Sequence, residues 1–313
     1  MLFMFPGQGS QKIGMGKDVY DAFESAGDVF REVDDAISFK LSDLIFNGSE
    51  DDLKSTENAQ PALMAVSMAF VRVLEKEFGV NIAEKARFFA GHSLGEYTAL
   101  CASRAISLSD AAKILRLRGA AMARACPIGG AMAAIIGLDI ETVEQIVGEC
   151  ASDKEVLQIS NDNSVGQVVI SGHENAVKKA AEKASSREAK MTTFLEVSGP
   201  FHCKLMEKAV DEVSEILEKT EFRRTTKPII SNVTAKAETD GFKELLKRQI
   251  VERVRWRESV LFAESQGVSK CVEIGSGKVL AGLVKRTSRA METINVNSVE
   301  SLESGAGLMQ SLL

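Results

Sequence analysis

Only three imidazoles occur in the 313 residues, His92, His173 and His202, and they bound the acid–base chemistry the chain can do near neutral pH. One serine stands where such a base is needed. Gly91-His92-Ser93-Leu94-Gly95 matches G-x-S-x-G, with a short apolar run, Ala86–Ala90, ahead of it and a helical pattern, Ser93–Ser103, behind it. A strand that turns sharply into a helix at such a sequence presents the serine oxygen above a sheet. Glycines flank the serine because side chains there would strike neighbouring backbone. The helix N-terminus also brings N–H groups and a positive dipole towards a developing oxyanion.

A hydroxyl is a weak nucleophile without a base. His92 adjoins Ser93, so its side chain must diverge from the serine oxygen, and it reads as a packing or hydrogen-bonding residue. His173 follows Gln167–Ser171 and Gly172 at the start of a surface helix and is expected to be exposed. His202, in Ser198-Gly199-Pro200-Phe201-His202, sits at another strand-to-helix junction, and elimination makes it the base. The 111 residues after it contain no histidine, and no H-G-G-G motif occurs. That order departs from the esterase–lipase plan and predicts a serine acyl-transfer enzyme of another kind.

Several classes are excluded. Gly7-Gln8-Gly9 is followed by Lys12 where a dinucleotide fingerprint needs glycine, and Gly275-Ser276-Gly277-Lys278 lacks the P-loop spacing; no cofactor is expected. The five cysteines are scattered, with no C-x-x-C pair, which argues against a disulfide framework or a metal site and fits a reducing cytoplasm. A net charge of −6 disfavours a nucleic-acid partner. No 18-residue apolar run predicts a membrane span, and Met1–Phe5 lacks the basic region of a secretory signal.

The elements that must hold Ser93 and His202 follow from periodicity. Leu2–Phe5 reads as a buried strand leading into the turn-rich Pro6–Gln11. Gln60–Phe78 is helical, and Ser107-Leu108-Ser109-Asp110 has capping-box spacing and opens a helix through Arg118 to Ala125, stopped by Cys126-Pro127. A different rhythm follows: strand Ala131–Gly137, helix Ile140–Cys150, strands Val156–Ser160 and Gln167–Ser171 joined by a turn at Asn161-Asp162-Asn163-Ser164, helix Asn175–Ser186, and strand Thr192–Val197. This β-α-β-β-α-β order is the ferredoxin-like pattern. Helices Cys203–Lys219, Phe242–Val251, Arg257–Gln266 and Lys278–Thr287 then alternate with strands Pro228–Ser231 and Lys270–Ile274, before a short strand near Asn295 and a terminal helix. The expectation is an α/β fold with an α/β-hydrolase-like large domain, 1–127 and 198–313, around a mostly parallel sheet, and a small ferredoxin-like subdomain, 128–197, inserted into it.

Taken together, Phe5-Pro6-Gly7-Gln8-Gly9-Ser10-Gln11, Gly91-His92-Ser93-Leu94-Gly95-Glu96, Arg118-Gly119 and Gly199-Pro200-Phe201-His202 resemble the malonyl-CoA:acyl carrier protein transacylase family. The likeness extends to Asn163–Gly172 and Glu273–Leu280, nearly end to end. It implies a ping-pong transfer in which Ser93 takes the malonyl group from malonyl-CoA and passes it to the phosphopantetheine thiol of acyl carrier protein. It further implies that His202 is oriented by a backbone carbonyl, at the position of Gln249. The N–H groups of Gln8 and Leu94 would form the oxyanion hole, and Phe201 would line the substrate site. On the residues alone Arg116, Arg118 and Arg124 are equivalent candidates on a solvated helix face. The family's arginine before glycine selects Arg118 as the malonyl-carboxylate anchor, a role suited to a planar fork. The family's usual Asn-Pro pair after the Gln249 position is replaced here by Glu252-Arg253. The alternatives are an acyltransferase for another extender unit in polyketide synthesis, a serine thioester hydrolase, or an idle docking module. Leu94 and Phe201 match the malonyl-type pattern. Arg223–Arg257 carries ten basic and four acidic side chains, either a solvated face or a docking surface for the acidic carrier protein.

Overall fold

Leu2–Phe5 (β1) is buried along its whole length, as a central strand covered on both faces must be. A computed structural model of the chain describes residues 1–126 and 128–311. The further strands are β2 (Phe88–Gly91), β3 (Gly130–Ile136), β4 (Leu157–Ser164), β5 (Gln167–His173), β6 (Met191–Phe194), β7 (Ile229–Ile230), β8 (Ala237–Glu238), β9 (Lys270–Ile274) and β10 (Glu292–Val296). They form a mixed α/β structure with two sheets. The first has the order β10-β9-β1-β2-β7-β8 and is parallel throughout, except for the short β7–β8 pair. The second, β4-β5-β3-β6, is antiparallel.

The loops after β1, β2, β7 and β9 all leave the carboxyl edge of the parallel sheet, where crevices form in open α/β folds. Helices Thr56–Lys76 and Leu108–Ala125 pack on each other over one face of that sheet. The second carries its expected cap, with Ser107 Oγ accepting from the Asp110 N–H at 3.0 Å. Pro127, expected to stop that helix, lies outside the described residues. No helix among the described residues is long and apolar enough to cross a membrane.

Two expectations are corrected. Asn161-Asp162-Asn163-Ser164 is not a turn but the second half of β4; the reversal falls on Val165-Gly166. Local turn preference loses because the side chains of Asp162 and Asn163 find partners in distant segments. Asp162 N–H donates to Val254 O at 2.9 Å, and its carboxylate accepts from Arg257 Nε at 2.9 and 3.0 Å. Asn163 Oδ1 meets His92 Nε2 at 2.8 Å. These contacts, with Val254 N–H donating to Ser160 O at 2.8 Å, join the second sheet to the segment Val254–Arg257 and to His92, the residue after β2. His173 is not an exposed loop residue either. It ends β5 and is half-buried, with its Nδ1 accepting from the Val156 N–H at 2.8 Å.

Candidate active site

β2 ends at Gly91 and the helix Leu94–Ala102 starts three residues later, leaving Ser93 at φ 53°, ψ −109°. A left-handed φ is costly for a residue with a side chain and persists only where surrounding contacts hold it. A Cβ on Gly91 would lie 1.8 Å from Gly95 O, and one on Gly95 would lie 2.2 Å from Phe5 O, so both motif glycines are required by close backbone approach. Three bonds pin the strained turn. Ser93 N–H donates to Asn232 Oδ1 at 2.8 Å, Asn232 Nδ2 donates to Gly91 O at 2.7 Å, and Gln249 Nε2 donates to Ser93 O at 3.1 Å.

His202 also has a left-handed backbone, φ 58°, and is 4% exposed. Its Nε2 lies 2.9 Å from Ser93 Oγ and its Nδ1 lies 2.7 Å from the backbone oxygen of Gln249. A carbonyl can only accept, so Nδ1 carries the proton and the Nε2 lone pair faces the serine hydroxyl, an assignment made from the network. Burial first, and the Arg118 charge second, push the His202 imidazole down to about 3. It therefore rests neutral, in the form that accepts a proton. Glu252-Arg253 does not disturb this arrangement: Glu252 N–H closes the helix Phe242–Val251 on Arg248 O, and the next residue but one, Val254, pairs with the second sheet.

Arg118 is 1% exposed. Its Nη1 donates to Gln60 Oε1 at 2.7 Å, and its Nη2 donates to Gln249 Oε1 at 2.9 Å and Ser93 Oγ at 3.1 Å. It lies over the buried ring of Tyr97, 5.3 Å from the centroid. The three arginines are thus not equivalent, and the face is not solvated at Arg118. Arg116 turns to Asn58 and Glu57, and Arg124 pairs with Glu212 at 2.5 Å. The sequence carried this signal: Leu115, Arg118 and Met122 recur at the spacing of the helix's buried stripe. Gly119 follows Arg118 because a Cβ there would lie 2.4 Å from Thr56 O, where the two helices touch.

Gln8 leaves the end of β1 and donates from Nε2 to Thr56 Oγ1 at 3.2 Å; Thr56 Oγ1 in turn meets Ser198 Oγ at 2.7 Å. The loops carrying Gln8 and His202 are so tied to one helix end. Backbone N–H groups of Gln8 and Leu94 have no acceptor among the described residues. Gln8, Ser93, His202 and Phe201 line a cleft of about 470 Å³, together with Met132, Asn161 and Val169 of the second sheet. His92 points away from Ser93, to Asn163 and the Trp256 ring at 5.8 Å. Asn232, Gln60, Thr56, Ser198 and Glu96 were not singled out as site residues by sequence. Of these only Glu96 had a local signal, as a carboxylate in the first turn of an otherwise apolar helix.

A sequence family described as acyl transferase domain matches residues 2–310. The chain is 44% identical over 306 residues to the malonyl CoA-acyl carrier protein transacylase of Bacillus subtilis, covering 96% of this chain and 94% of that one. It belongs to the malonyl-CoA:acyl carrier protein transacylases. The crystal structure of the acyl-carrier-protein-S-malonyltransferase from Bartonella henselae superposes with a TM-score of 0.96 at 47% identity, covering 99% of each chain. A malonyl-transacylase solved in complex with its type II polyketide synthase acyl carrier protein matches with a TM-score of 0.93 at 40% identity, covering 98% of this chain and 99% of that one.

Proposed function

We propose that this transacylase moves a malonyl group from malonyl-CoA to the phosphopantetheine thiol of acyl carrier protein through a malonyl ester of Ser93, supplying malonyl carrier protein for fatty acid synthesis. The carrying observation is that Ser93 Oγ lies between His202 Nε2 and Arg118 Nη2. In the first half, Ser93 Oγ attacks the thioester carbonyl carbon while its proton passes to His202 Nε2. The carbonyl oxygen becomes an oxyanion facing the N–H groups of Gln8 and Leu94, each typically worth ~10²–10³ in rate. The carbon–sulfur bond then breaks, and the CoA sulfur leaves with the proton from His202. In the second half, the carrier thiol gives its proton to His202 and attacks the ester carbonyl. The carbon–oxygen bond breaks, and Ser93 recovers the proton. Gln249 O steadies the imidazolium, and Phe201 lines the acyl site.

The malonyl carboxylate is two bonds from the carbonyl carbon that Ser93 attacks. A buried fork beside the nucleophile, held by neutral acceptors, suits that anion and leaves an uncharged acyl group facing an unpaired cation. We read 128–197 as a ferredoxin-like subdomain inserted between 1–127 and 198–313; the order β3, helix Ile140–Cys150, β4, β5, helix Glu174–Ser186, β6 supports this. Five free cysteines support a reducing, cytoplasmic setting. The basic run Arg223–Arg257 is a weaker docking surface than its composition suggests. Apart from Lys227 and Lys236, each of its cations has a carboxylate within 4 Å, as with Arg253 and Glu144.

Mass spectrometry after malonyl-CoA treatment tests the reading. The expected result is a malonyl adduct on Ser93, absent in Ser93→Ala, that discharges only on addition of carrier protein. Rapid release of free malonate, or full labelling of Ser93→Ala, overturns it.

A further inference from the structure

Beneath the nucleophile lies a carboxyl group that the steps above do not use. Glu96, three residues after Ser93 on the same helix, is 2% exposed. Its Oε2 accepts from Gln249 Nε2 at 2.6 Å and from the backbone N–H of Asn232 at 3.1 Å. Burial raises the carboxyl to about 7, with the hydrogen bonds and the Arg118 charge opposing.

The Gln249 amide has one donating and one accepting end. Its Nε2 faces three acceptors: Glu96 Oε2, Ser93 O at 3.1 Å and Asn232 Oδ1 at 3.3 Å. Its Oε1 is thereby turned to Arg118 Nη2 at 2.9 Å. A flipped amide would set an NH₂ against the guanidinium and an oxygen against a carboxylate and two carbonyl oxygens. Both ends would then repel. In its ionised form the Glu96 carboxylate is the strongest of the three acceptors, since charged acceptors make roughly twice the bond of neutral ones.

We propose that Glu96 is a positioning residue for acyl selectivity: by holding Gln249 Nε2 it fixes that amide so that Oε1 aims the Arg118 fork at the space beside Ser93. This rests on Arg118 as the malonyl anchor and assigns the group that orients it. The Glu96 carboxyl bonds neither Ser93 Oγ nor the acyl group; because Gln249 and Asn232 also hold the Ser93 turn, a slowing common to all acyl groups reports that turn, and the orienting role is read in discrimination between acyl groups.

The test is the ratio of acyl-enzyme formation rates with malonyl-CoA and acetyl-CoA, measured on the full chain in Glu96→Leu, Glu96→Gln, Gln249→Leu and the double variant Glu96→Leu/Gln249→Leu. Glu96→Leu removes the acceptor and should lower the malonyl-to-acetyl ratio about ten-fold or more. Glu96→Gln can keep a carbonyl oxygen on Gln249 and should hold the ratio within about three-fold of the parent. The double variant should be no worse than Gln249→Leu, because Glu96 acts through that amide. A merely structural Glu96 would slow both acyl groups equally. That outcome overturns the proposal, and so does a Glu96→Gln ratio as low as that of Glu96→Leu. If Glu96→Leu does not fold, Glu96→Ala, which also removes the acceptor, takes its place with the same expected and overturning ratios. Arg118→Met separates the two layers. If it leaves the ratio unmoved, the anchor itself is wrong; if it moves the ratio and Glu96→Leu does not, only the Glu96 role fails.

Discussion

Arg118 Nη2 and Ser93 Oγ meet at 3.1 Å, so in the proposed mechanism the cation for the far end of a malonyl group and the atom that attacks its near end share one point. Chain length and charge are then read together. A carboxylate two bonds from the carbonyl reaches the fork, and a longer diacid would have to fold back. A charge-assisted contact of this kind contributes ~1.5–3 kcal/mol, or roughly one to two decades in binding. Arg118→Met should therefore lower the malonyl-to-acetyl ratio of kcat/KM by about 10–100-fold. Arg116→Ala and Arg124→Ala, on the same helix but turned to other partners, should leave it nearly unchanged. A larger shift in Arg116→Ala than in Arg118→Met would show that the wrong arginine has been chosen.

His202 should work as a base far into acid. Its imidazole is pushed down to about 3 by burial and then by the charge of Arg118. The acidic limb of acyl-enzyme formation should thus lie well below 6.5, the ordinary imidazole value. It is best read in Glu96→Gln, which removes the other group of the network titrating near neutrality. In Arg118→Met the limb should move up, since a cation beside the ring has gone. The stability sign follows. Unfolded chain binds a proton at this histidine below 6.5 and the folded chain does not until about 3, so its contribution is lost as pH falls through that window. A limb at or above 6.5 in Glu96→Gln would contradict the buried, neutral imidazole.

Asn232 holds the elbow from both sides, through Gly91 O and the Ser93 N–H. Asn232→Ala leaves those two groups unpaired in a buried place, which typically costs ~1–3 kcal/mol each. A strained Ser93 should relax when released. The expected outcome is a lower melting temperature together with a kcat loss larger than any change in KM for malonyl-CoA. Unchanged kcat with lowered melting temperature would mean that the elbow keeps its shape without Asn232.

The placement of Ser93 between a strand and a helix was legible because G-x-S-x-G and the apolar period are local signals. The pairing of His202 with Ser93 was legible because the chain has so few histidines. Arg118 lay within reach of the same logic: it falls on the stripe of Leu115 and Met122, and a charge on a buried stripe needs a reason. Asn161–Ser164 were misread because their types favour turns, whereas their partners, Val254, Arg257 and His92, come from distant segments. Asn232 and Gln60 had no local period at all. Each is one polar residue whose meaning appears only when separate loops and helices converge on Ser93.

The junction of β4 with the helix Trp256–Ser265 offers an asymmetric test. Asp162 is fully buried, while the Arg257 side chain is 22% exposed. Removing the arginine strands a charge in the interior; removing the carboxylate leaves a guanidinium that can turn to water. Breaking a buried pair from the first side costs ~3–5 kcal/mol. Arg257→Ala should therefore destabilise the protein markedly more than Asp162→Asn, by chemical denaturation at neutral pH. Burial already raises the Asp162 carboxyl, and Arg257 is the main force lowering it, so in Arg257→Ala it should rise further. The folded variant then binds a proton that the unfolded chain releases near 4, and the penalty shrinks as pH falls through the raised value. Equal losses in the two variants, or an Arg257→Ala penalty that grows on acidification, would mean that the charge of Asp162 is not what the arginine compensates.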